Sequence, residues 1–334
     1  MRTEYNPESS RVRILRGLTV ILIIAFVVSA ALFAISLWEK HHSGFEEVGH
    51  NTFEESIEYN GKEFVLKKNI ETYLLLGLDK FESEEIESYN NDKQADFLML
   101  LVVDNENSSF TALHINRDTV TEMNVLGVAG DKIGTAEKQI ALAHTYGNGK
   151  EVSCRNTATA VSKLLLNAKI DHYVSVTMDA VSVYNDLVGG VEVTVLDDFT
   201  GIDDTLIKNK NVLLHGEHAL NYVRTRYGLD DSTNNNRMKR QRQYLKELYS
   251  KTKQCVENDK SFIEQSFLKL TDYIVSDCSV NKLQSLTEKL SGYDFNEICC
   301  IDGETVKGEK FMEFYPEKES VEEITVKLFY TAKD

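Results

Sequence analysis

The sequence predicts an α/β domain, an α-β-α sandwich with a central mixed sheet, preceded by one transmembrane helix. Short apolar runs typical of buried strands alternate with helical patterns over roughly 260 residues, which favours a sheet covered by helices on both faces. Near the N-terminus, residues 18–38 form an uncharged run of 21 residues. At about 1.5 Å per residue this run spans about 30 Å of hydrocarbon.

The charges around the apolar run predict its orientation. Arg11, Arg13 and Arg16 precede it and Trp38 ends it, so residues 1–17 are expected in the cytoplasm and the rest outside the cell membrane. A cleaved signal peptide is the alternative, but the run is longer than an ordinary signal sequence and no small-residue cleavage site follows directly. We therefore expect a single-pass membrane protein with an extracellular stalk over residues 39–69 and an extracellular domain over residues 70–334.

The domain divides into predicted elements in chain order. Strands are predicted at 73–78, 96–104, 110–115, 173–178, 191–195 and 297–301, the second and third forming a hairpin across Asn105. Helices are predicted at 133–146, 157–166, 179–188, 216–226, 237–253 and 283–290. Residues 254–334 contain few features typical of a site and are expected to be structural.

Net charge excludes one class of partner. The chain carries −16, and its first 17 residues hold four arginines against two glutamates, so the remainder carries about −18. A nucleic-acid-binding protein needs a broad basic face, so no nucleic-acid partner is expected.

The five cysteines give no metal motif. Because their number is odd, at least one cysteine outside the cell cannot form an intramolecular disulfide. No Cys-x-x-Cys or Cys/His spacing suggests zinc. The sequence does not determine the disulfide pairing, for which Cys154–Cys255 is one possibility. The five cysteines are Cys154, Cys255, Cys278, Cys299 and Cys300.

Arginine is concentrated in one stretch of this acidic chain. Seven arginines follow the anchor, and five of them lie between Arg224 and Arg242. The planar guanidinium grips phosphate oxygens in pairs, which a lysine cannot do, so the cluster favours a pocket for a phosphate or pyrophosphate. The alternative is a solvated basic helix face, to which Arg240 and Arg242 are assigned.

Charged residues at predicted strand ends could complete such a pocket. Asp79 ends one strand and Asp96 begins another, so the two carboxylates could meet and hold a divalent cation, although strand-end aspartates are often only solvated. Arg117 and Asp118 follow a third strand, where Arg117 could reach a phosphate and Asp118 could orient it or accept a proton; a surface ion pair is the alternative. Lys132 could add a cation to the same cleft or lie on the surface.

Nine stretches in this order resemble the LytR-CpsA-Psr family of cell-wall phosphotransferases, over roughly residues 70–250. They are Leu74-Leu-Leu-Gly77-Leu-Asp79, Ala95-Asp96-Phe-Leu-Met-Leu, Ile115-Asn116-Arg117-Asp118-Thr119, Asp131-Lys132-Ile133, Ile170-Asp-His-Tyr173, Leu187-Val-Gly189-Gly190-Val-Glu-Val, Leu214-His-Gly216-Glu-His-Ala219-Leu, Tyr222-Val-Arg224-Thr-Arg226 and Arg237-Met-Lys-Arg240-Gln241.

The resemblance implies a hydrophobic tunnel for a polyprenyl tail, with a polar mouth for its pyrophosphate. It implies transfer of an anionic glycopolymer, such as a teichoic acid or capsular polysaccharide, from an undecaprenyl-pyrophosphate carrier to peptidoglycan through a phosphodiester bond. Carried over by position, Asp79 and Asp96 hold Mg²⁺ (or Mn²⁺). The pyrophosphate ligands implied in the same way are Arg117, Lys132, Arg224, Arg226, Arg237 and Gln241.

The sequence departs from the family pattern at three positions. Asn116 replaces a usual proline, Gly134 a usual asparagine, and Asn234 an aspartate that is a candidate base. An asparagine cannot take a proton at neutral pH, so Asp231 is proposed as the base, with Arg117 and Asp118 as the other catalytic residues.

Two other functions follow from these departures and from the family's name. A non-catalytic polyprenyl-phosphate-binding scaffold of wall assembly is consistent with Asn234. A membrane-bound transcription attenuator would need a DNA-binding fold in the cytoplasm, where only about 17 residues are expected.

Overall fold

The computed structural model describes residues 53–79, 92–226, 228–229, 233–308 and 311–333. The predicted anchor, residues 18–38, lies outside these residues. Within the part described, no helix combines the length and the apolar character needed to span a membrane.

The described chain forms fifteen strands and seven α-helices. The strands are β1 (Ser56–Tyr59), β2 (Lys62–Leu66), β3 (Ile70–Leu78), β4 (Phe97–Asp104), β5 (Ser109–Ile115), β6 (Val120–Leu126), β7 (Lys132–Gln139), β8 (His172–Thr177), β9 (Val191–Thr194), β10 (Asn211–Leu214), β11 (Ile274–Ser276), β12 (Asp294–Cys299), β13 (Gly303–Lys307), β14 (Met312–Pro316) and β15 (Tyr330–Ala332). The helices are α1 (Glu151–Leu164), α2 (Asp179–Leu187), α3 (Glu217–Arg224), α4 (Asn234–Asn258), α5 (Phe262–Leu270), α6 (Val280–Gly292) and α7 (Lys318–Phe329).

A mixed six-stranded sheet forms the centre of the described domain. Its order is β11-β8-β3-β4-β5-β12, with β3 parallel to β8, β5 parallel to β12 and the remaining neighbours antiparallel. The central strands β3 and β4 are mostly apolar and buried because both faces of the sheet are covered. The predicted fold class is therefore confirmed for the central sheet and its helical layers.

Alternate residues of the sheet build two separate cores. Leu74, Leu76 and Leu78 of β3 face a core shared with α1 and α7. Tyr73 of β3 faces the opposite side, where it packs with residues of α6 such as Leu286. This alternation is what a period of two residues per side-chain repeat produces in a strand.

The domain begins before the predicted boundary at residue 70. β1 and β2 pair with each other and β2 pairs with the C-terminal β15, so the described end of the predicted stalk belongs to the same compact unit as residues 70–333. The first two described strands and the last one therefore form a single small sheet.

The predicted helix at 133–146 is wrong. The chain there forms β7, paired with β6 as an antiparallel hairpin, followed by a 3-10 helix from Ile140 to Thr145. Tertiary pairing overrides the helical spacing, and Ile133 is exposed rather than buried.

The cysteines are free throughout the described chain. Cys154 lies buried in the core beneath the sheet, whereas Cys255 packs at the edge of a different core built around α4, so the possible Cys154–Cys255 disulfide is absent.

Candidate active site

Most of the predicted site residues line one cavity of about 990 Å³ at the end of the central sheet. Pairing of β3 with β4 places Gly77 opposite Phe97, and the Asp96 amide donates to the Gly77 carbonyl at 2.8 Å. Asp79 and Asp96 thus extend from adjacent strand ends into the cavity, as the sequence predicts.

The cavity wall has an excess of positive charge. Among the described residues, five cations and three carboxylates line it, in a chain whose total charge is −16. The cations are Arg117, Arg224, Arg226, Arg237 and Lys307, and the carboxylates are Asp79, Asp96 and Asp118. A cationic pocket on an acidic protein selects for an anionic ligand.

The end of α3 directs two arginines into the cavity. The helix ends at Arg224, and Thr225 is extended with ψ of 132°, so the side chains of Arg224 and Arg226 reach the same pocket instead of diverging around a helix. Arg224 Nη2 lies 3.1 Å from Asp79 Oδ1, and both side chains are about half exposed. This pair can therefore rearrange around an incoming ligand.

Asp118 is buried between two arginines. Its Oδ1 lies 3.4 Å from Arg117 Nε, and its Oδ2 lies 3.5 Å from Arg226 Nη2. Gln139 Nε2 also donates to Oδ1 at 3.2 Å. With its side chain only 3% exposed, Asp118 is placed to orient the two guanidinium groups.

Arg117 joins this pair to the strand ends. Its guanidinium forms an ion pair with Asp96 and donates to Gln94, and its backbone carbonyl accepts from the Ala141 amide at 3.1 Å. The arginine is therefore fixed on both its side chain and its backbone.

Arg237 is buried on the first turns of α4. Its Nε and Nη2 donate to the amide oxygen of Asn234 at 3.0 and 2.7 Å, and Nη2 also donates to the Asp96 carbonyl at 3.3 Å. Burial, followed by repulsion from Arg117 and Arg226, lowers the Arg237 pKa to about 10, so the guanidinium stays charged at neutral pH.

Two departures from the family pattern contact each other. Asn234 Nδ2 donates to Asn116 Oδ1 at 2.7 Å, and the same oxygen accepts from the Asp118 amide at 3.0 Å. These asparagines connect the start of α4 to the Asp118 loop, and Asn234 has no proton-accepting carboxylate to offer.

Two sequence-predicted residues, Lys132 and Gln241, do not line this cavity. Lys132 is exposed at the start of β7 and does not line the cavity, because the hairpin holds it at the surface. Gln241 lies one helical turn beyond Arg237, where its Nε2 donates to the Val223 carbonyl at 3.1 Å. Asp231 lies outside the described residues.

Arg240 was expected on a solvated helix face, but the structure buries it. It is 1% exposed, pairs with Asp197 at 2.6 Å and lies over the ring of Phe199 at 5.2 Å. It also donates to the Thr225 carbonyl. Arg240 therefore holds the backbone between Arg224 and Arg226 in position.

The C-terminal part contributes to the site, contrary to the expectation that residues 254–334 are only structural. Lys307, Phe311 and Met312 of the β13–β14 hairpin line the cavity. The hairpin is held by the Phe314 amide, which donates to the Asp118 carbonyl at 2.8 Å, and by Gln139 Nε2, which donates to the Met312 carbonyl at 2.6 Å. The sequence of this hairpin contains no motif that would have predicted its place at the site.

A second, apolar cavity of about 260 Å³ adjoins the first. Gly77 and Phe97 line it, while Asp79 and Asp96 on the same strand ends line the polar cavity. Helices α2 and α4 cover it, with Gln241 among its few polar neighbours. A ligand with a charged head and an apolar tail could occupy both cavities.

The carboxylate pair suits a divalent cation. Mg²⁺ uses one or two protein carboxylates together with phosphate oxygens and water. Asp79 and Asp96 supply oxygen donors alone, on the wall of a cavity with anion-binding arginines. The residues therefore fit Mg²⁺ or Mn²⁺ bound together with a pyrophosphate.

Comparisons with known proteins identify the family of this chain. The profile of the LytR_cpsA_psr family matches residues 37–329. The chain is 28% identical over 227 residues to a polyisoprenyl-teichoic acid–peptidoglycan teichoic acid transferase TagU of Bacillus cereus, covering 67% of each chain. The TagU of Enterococcus faecalis is 27% identical over 236 residues, covering 70% of each.

A solved structure shares the fold. The crystal structure of Bacillus subtilis TagV superposes with a TM-score of 0.59 at 24% identity, covering 79% of this chain and 97% of TagV.

Proposed function

The chain belongs to the LytR_cpsA_psr family, and we propose that it transfers an anionic glycopolymer from a polyprenyl-pyrophosphate carrier to peptidoglycan. The names of its TagU relatives support a teichoic acid as the polymer. The observation that carries the proposal is the cationic cavity beside an apolar one, because a polyprenyl pyrophosphate has an anionic head and an apolar tail.

The arginines bind and orient the pyrophosphate. Arg117, Arg226 and Arg237 approach it from fixed positions, and Arg224 leaves Asp79 to contact it. Phosphoryl transfer depends mainly on positioning and on neutralising charge in the transition state, which a fixed arginine cluster supplies. Mg²⁺ held by Asp79 and Asp96 would add further neutralisation of the phosphate oxygens.

The bond changes follow from this placement. An acceptor hydroxyl of peptidoglycan attacks the phosphorus that carries the glycopolymer, its bond to the bridging oxygen breaks, and polyprenyl monophosphate leaves. We propose Asp231 as the acceptor of the hydroxyl proton, since Asn234 cannot serve and Asp118 is occupied by two arginines. The tail and the apolar segment 18–38 would keep enzyme and substrate at the same membrane surface.

A transfer assay with lipid-linked polymer and peptidoglycan tests the proposal. We expect Arg226→Ala to lower transfer by about ten- to a hundredfold, because a charge-assisted hydrogen bond contributes about 1.5–3 kcal/mol. Arg155→Ala, at an exposed position of α1, is the matched control and should transfer normally. Full transfer by both Arg224→Ala and Arg226→Ala would overturn the role of the arginines.

A binding scaffold is the second candidate, and the buried amide of Asn234 favours it. Lipid binding measured beside transfer separates the two functions. Tight binding of lipid-linked polymer without any product would support the scaffold and reject the transferase.

A further inference from the structure

Three side chains with metal-binding atoms meet at the far end of the sheet. Within the described residues, His172, Asp277 and Cys278 form a group whose possible ligand atoms all lie within 4.8 Å of one another. His172 begins β8, and the other two directly follow β11. Because β11 is antiparallel to β8, with Ser276 opposite Val174, these strand ends lie side by side.

The distances suit a small metal ion. His172 Nδ1 lies 3.6 Å from Asp277 Oδ2, and Cys278 Sγ lies 3.7 Å from Asp277 Oδ1. Zinc bonds of about 2.0–2.3 Å in tetrahedral geometry place ligand atoms about 3.3–3.6 Å apart. Both contacts to Asp277 are close to these lengths, and the third pair of ligand atoms lies within 4.8 Å.

Neighbouring groups hold the three side chains near these positions. The Tyr173 amide donates to Asp277 Oδ1 at 3.0 Å, and the Cys278 amide donates to Ser276 Oγ at 3.0 Å. The His172 ring stacks on Tyr73 with centroids 5.1 Å apart. His172 Nδ1 is buried and makes no hydrogen bond in the described part of the chain, which leaves its lone pair or proton unsatisfied.

We propose that His172, Asp277 and Cys278 bind one Zn²⁺ ion, with water as the fourth ligand. A nitrogen, oxygen and sulfur set favours Zn²⁺ over Mg²⁺, which prefers oxygen donors alone. On binding, Zn²⁺ replaces the proton of the Cys278 thiol, which passes to solvent, so that one thiolate and one carboxylate balance the charge of the ion.

The ion would have a structural role. β8 runs parallel to β3, and His172 is at its start while the candidate active site follows the end of β3. Six strand residues at about 3.3 Å each separate the two ends by about 20 Å. The ion would instead link the residues between edge strand β11 and α6 to the start of the neighbouring strand β8.

Metal titration of the full-length chain in detergent tests this site. Chelator-treated, reduced protein is titrated with Zn²⁺ in excess Mg²⁺, which occupies the Asp79 and Asp96 pair. We expect one bound equivalent and a higher Tm, because a metal that binds only the folded state stabilises it. Cys278→Ser and His172→Gln should each weaken Zn²⁺ binding more than tenfold, whereas the controls Cys255→Ser and His218→Gln should leave it unchanged.

Cobalt provides a readout that needs no variant. Co²⁺ bound by Cys278 gives a thiolate-to-metal charge-transfer band in the unmodified protein. Absence of that band, or unchanged Zn²⁺ affinity in the Cys278→Ser and His172→Gln variants, would overturn the proposal.

Discussion

At the scale of single residues, the arginines of the site differ in whether a carboxylate lies beside them. Asp118 forms ion pairs with Arg117 and Arg226, and Arg224 pairs with Asp79. Arg237 instead donates to the neutral amide of Asn234. This hydrogen bond orients the guanidinium but does not neutralise its positive charge. The cavity thereby retains a buried positive charge for its ligand.

We expect Asn234→Asp to weaken pyrophosphate binding about five- to a hundredfold. The new carboxylate would pair with Arg237 and would lose the donor to Asn116, which together involve about 1–3 kcal/mol. Inorganic pyrophosphate binding by calorimetry measures the effect. Asn236→Asp adds the same charge at a neighbour whose side chain contacts Lys239 instead, and serves as the control. Unchanged binding with faster transfer would show instead that a carboxylate at this position acts as a base.

The types and positions of charged residues in the sequence predict most of the candidate site. Arginine clustering and strand-end charges identify seven residues that do line the cavity: Asp79, Asp96, Arg117, Asp118, Arg224, Arg226 and Arg237. Composition could not separate Arg237 from Arg240, because both lie on one helix and their burial depends on distant partners. Arg240 forms an ion pair with Asp197, which lies 43 residues earlier in the chain.

At the scale of elements, helices α2 and α4 form one wall of the apolar cavity. Val181 of α2 and Leu245 and Leu248 of α4 face it opposite Val174 and Val176 of β8. The cavity thus lies between one face of the sheet and its helical cover. Binding of a polyprenyl tail there would replace water-exposed apolar surface with apolar contacts.

Val181→Trp should block this cavity and weaken binding of a polyprenyl pyrophosphate at least tenfold. Inorganic pyrophosphate should bind normally, because the arginines remain in place. Val183→Trp, two residues along the same helix and not lining the cavity, is the matched control. Equal loss of affinity for both ligands would contradict a separate site for the tail.

The β13–β14 hairpin shows why elements are harder to predict than residues. Its contribution to the site arises from backbone contacts with Asp118 and Gln139, which are more than 170 residues earlier. Likewise, β7 forms because seven of its residues pair with β6, while its own apolar spacing favours a helix. The residue pattern within each element does not reveal the residues that the element contacts in the fold.

At the scale of the whole molecule, the fold joins two ends of one sheet with different chemistry. The candidate active site follows the end of β3, and the proposed zinc site lies at the start of the parallel β8. The sequence predicted the alternation that creates this sheet. It could not predict the strand order, since β12 joins β5 from a distance of about 185 residues.

Two buried histidines make the stability of the whole domain sensitive to acid. Burial, with Arg242 and Arg237 nearby, lowers the His114 pKa to about 3. Burial lowers the His144 pKa to about 4 despite its 2.9 Å contact with the Lys93 carbonyl. Between these values and the ordinary 6.5, the unfolded chain binds more protons, so the free energy of unfolding falls as pH falls.

We therefore expect acidification from pH 7 to pH 5 to reduce the free energy of unfolding by about 2 kcal/mol for each of these histidines, since one pKa unit corresponds to about 1.4 kcal/mol. Urea unfolding at both pH values measures the difference. His114→Gln should remove about half of the loss caused by the pair, whereas His218→Gln, at a side chain 45% exposed, should not change it. If the pH effect were equal in the His114→Gln variant and the unmodified protein, His114 would already be charged in the folded state. The acid sensitivity would then arise from the ion-paired carboxylates of the cavity.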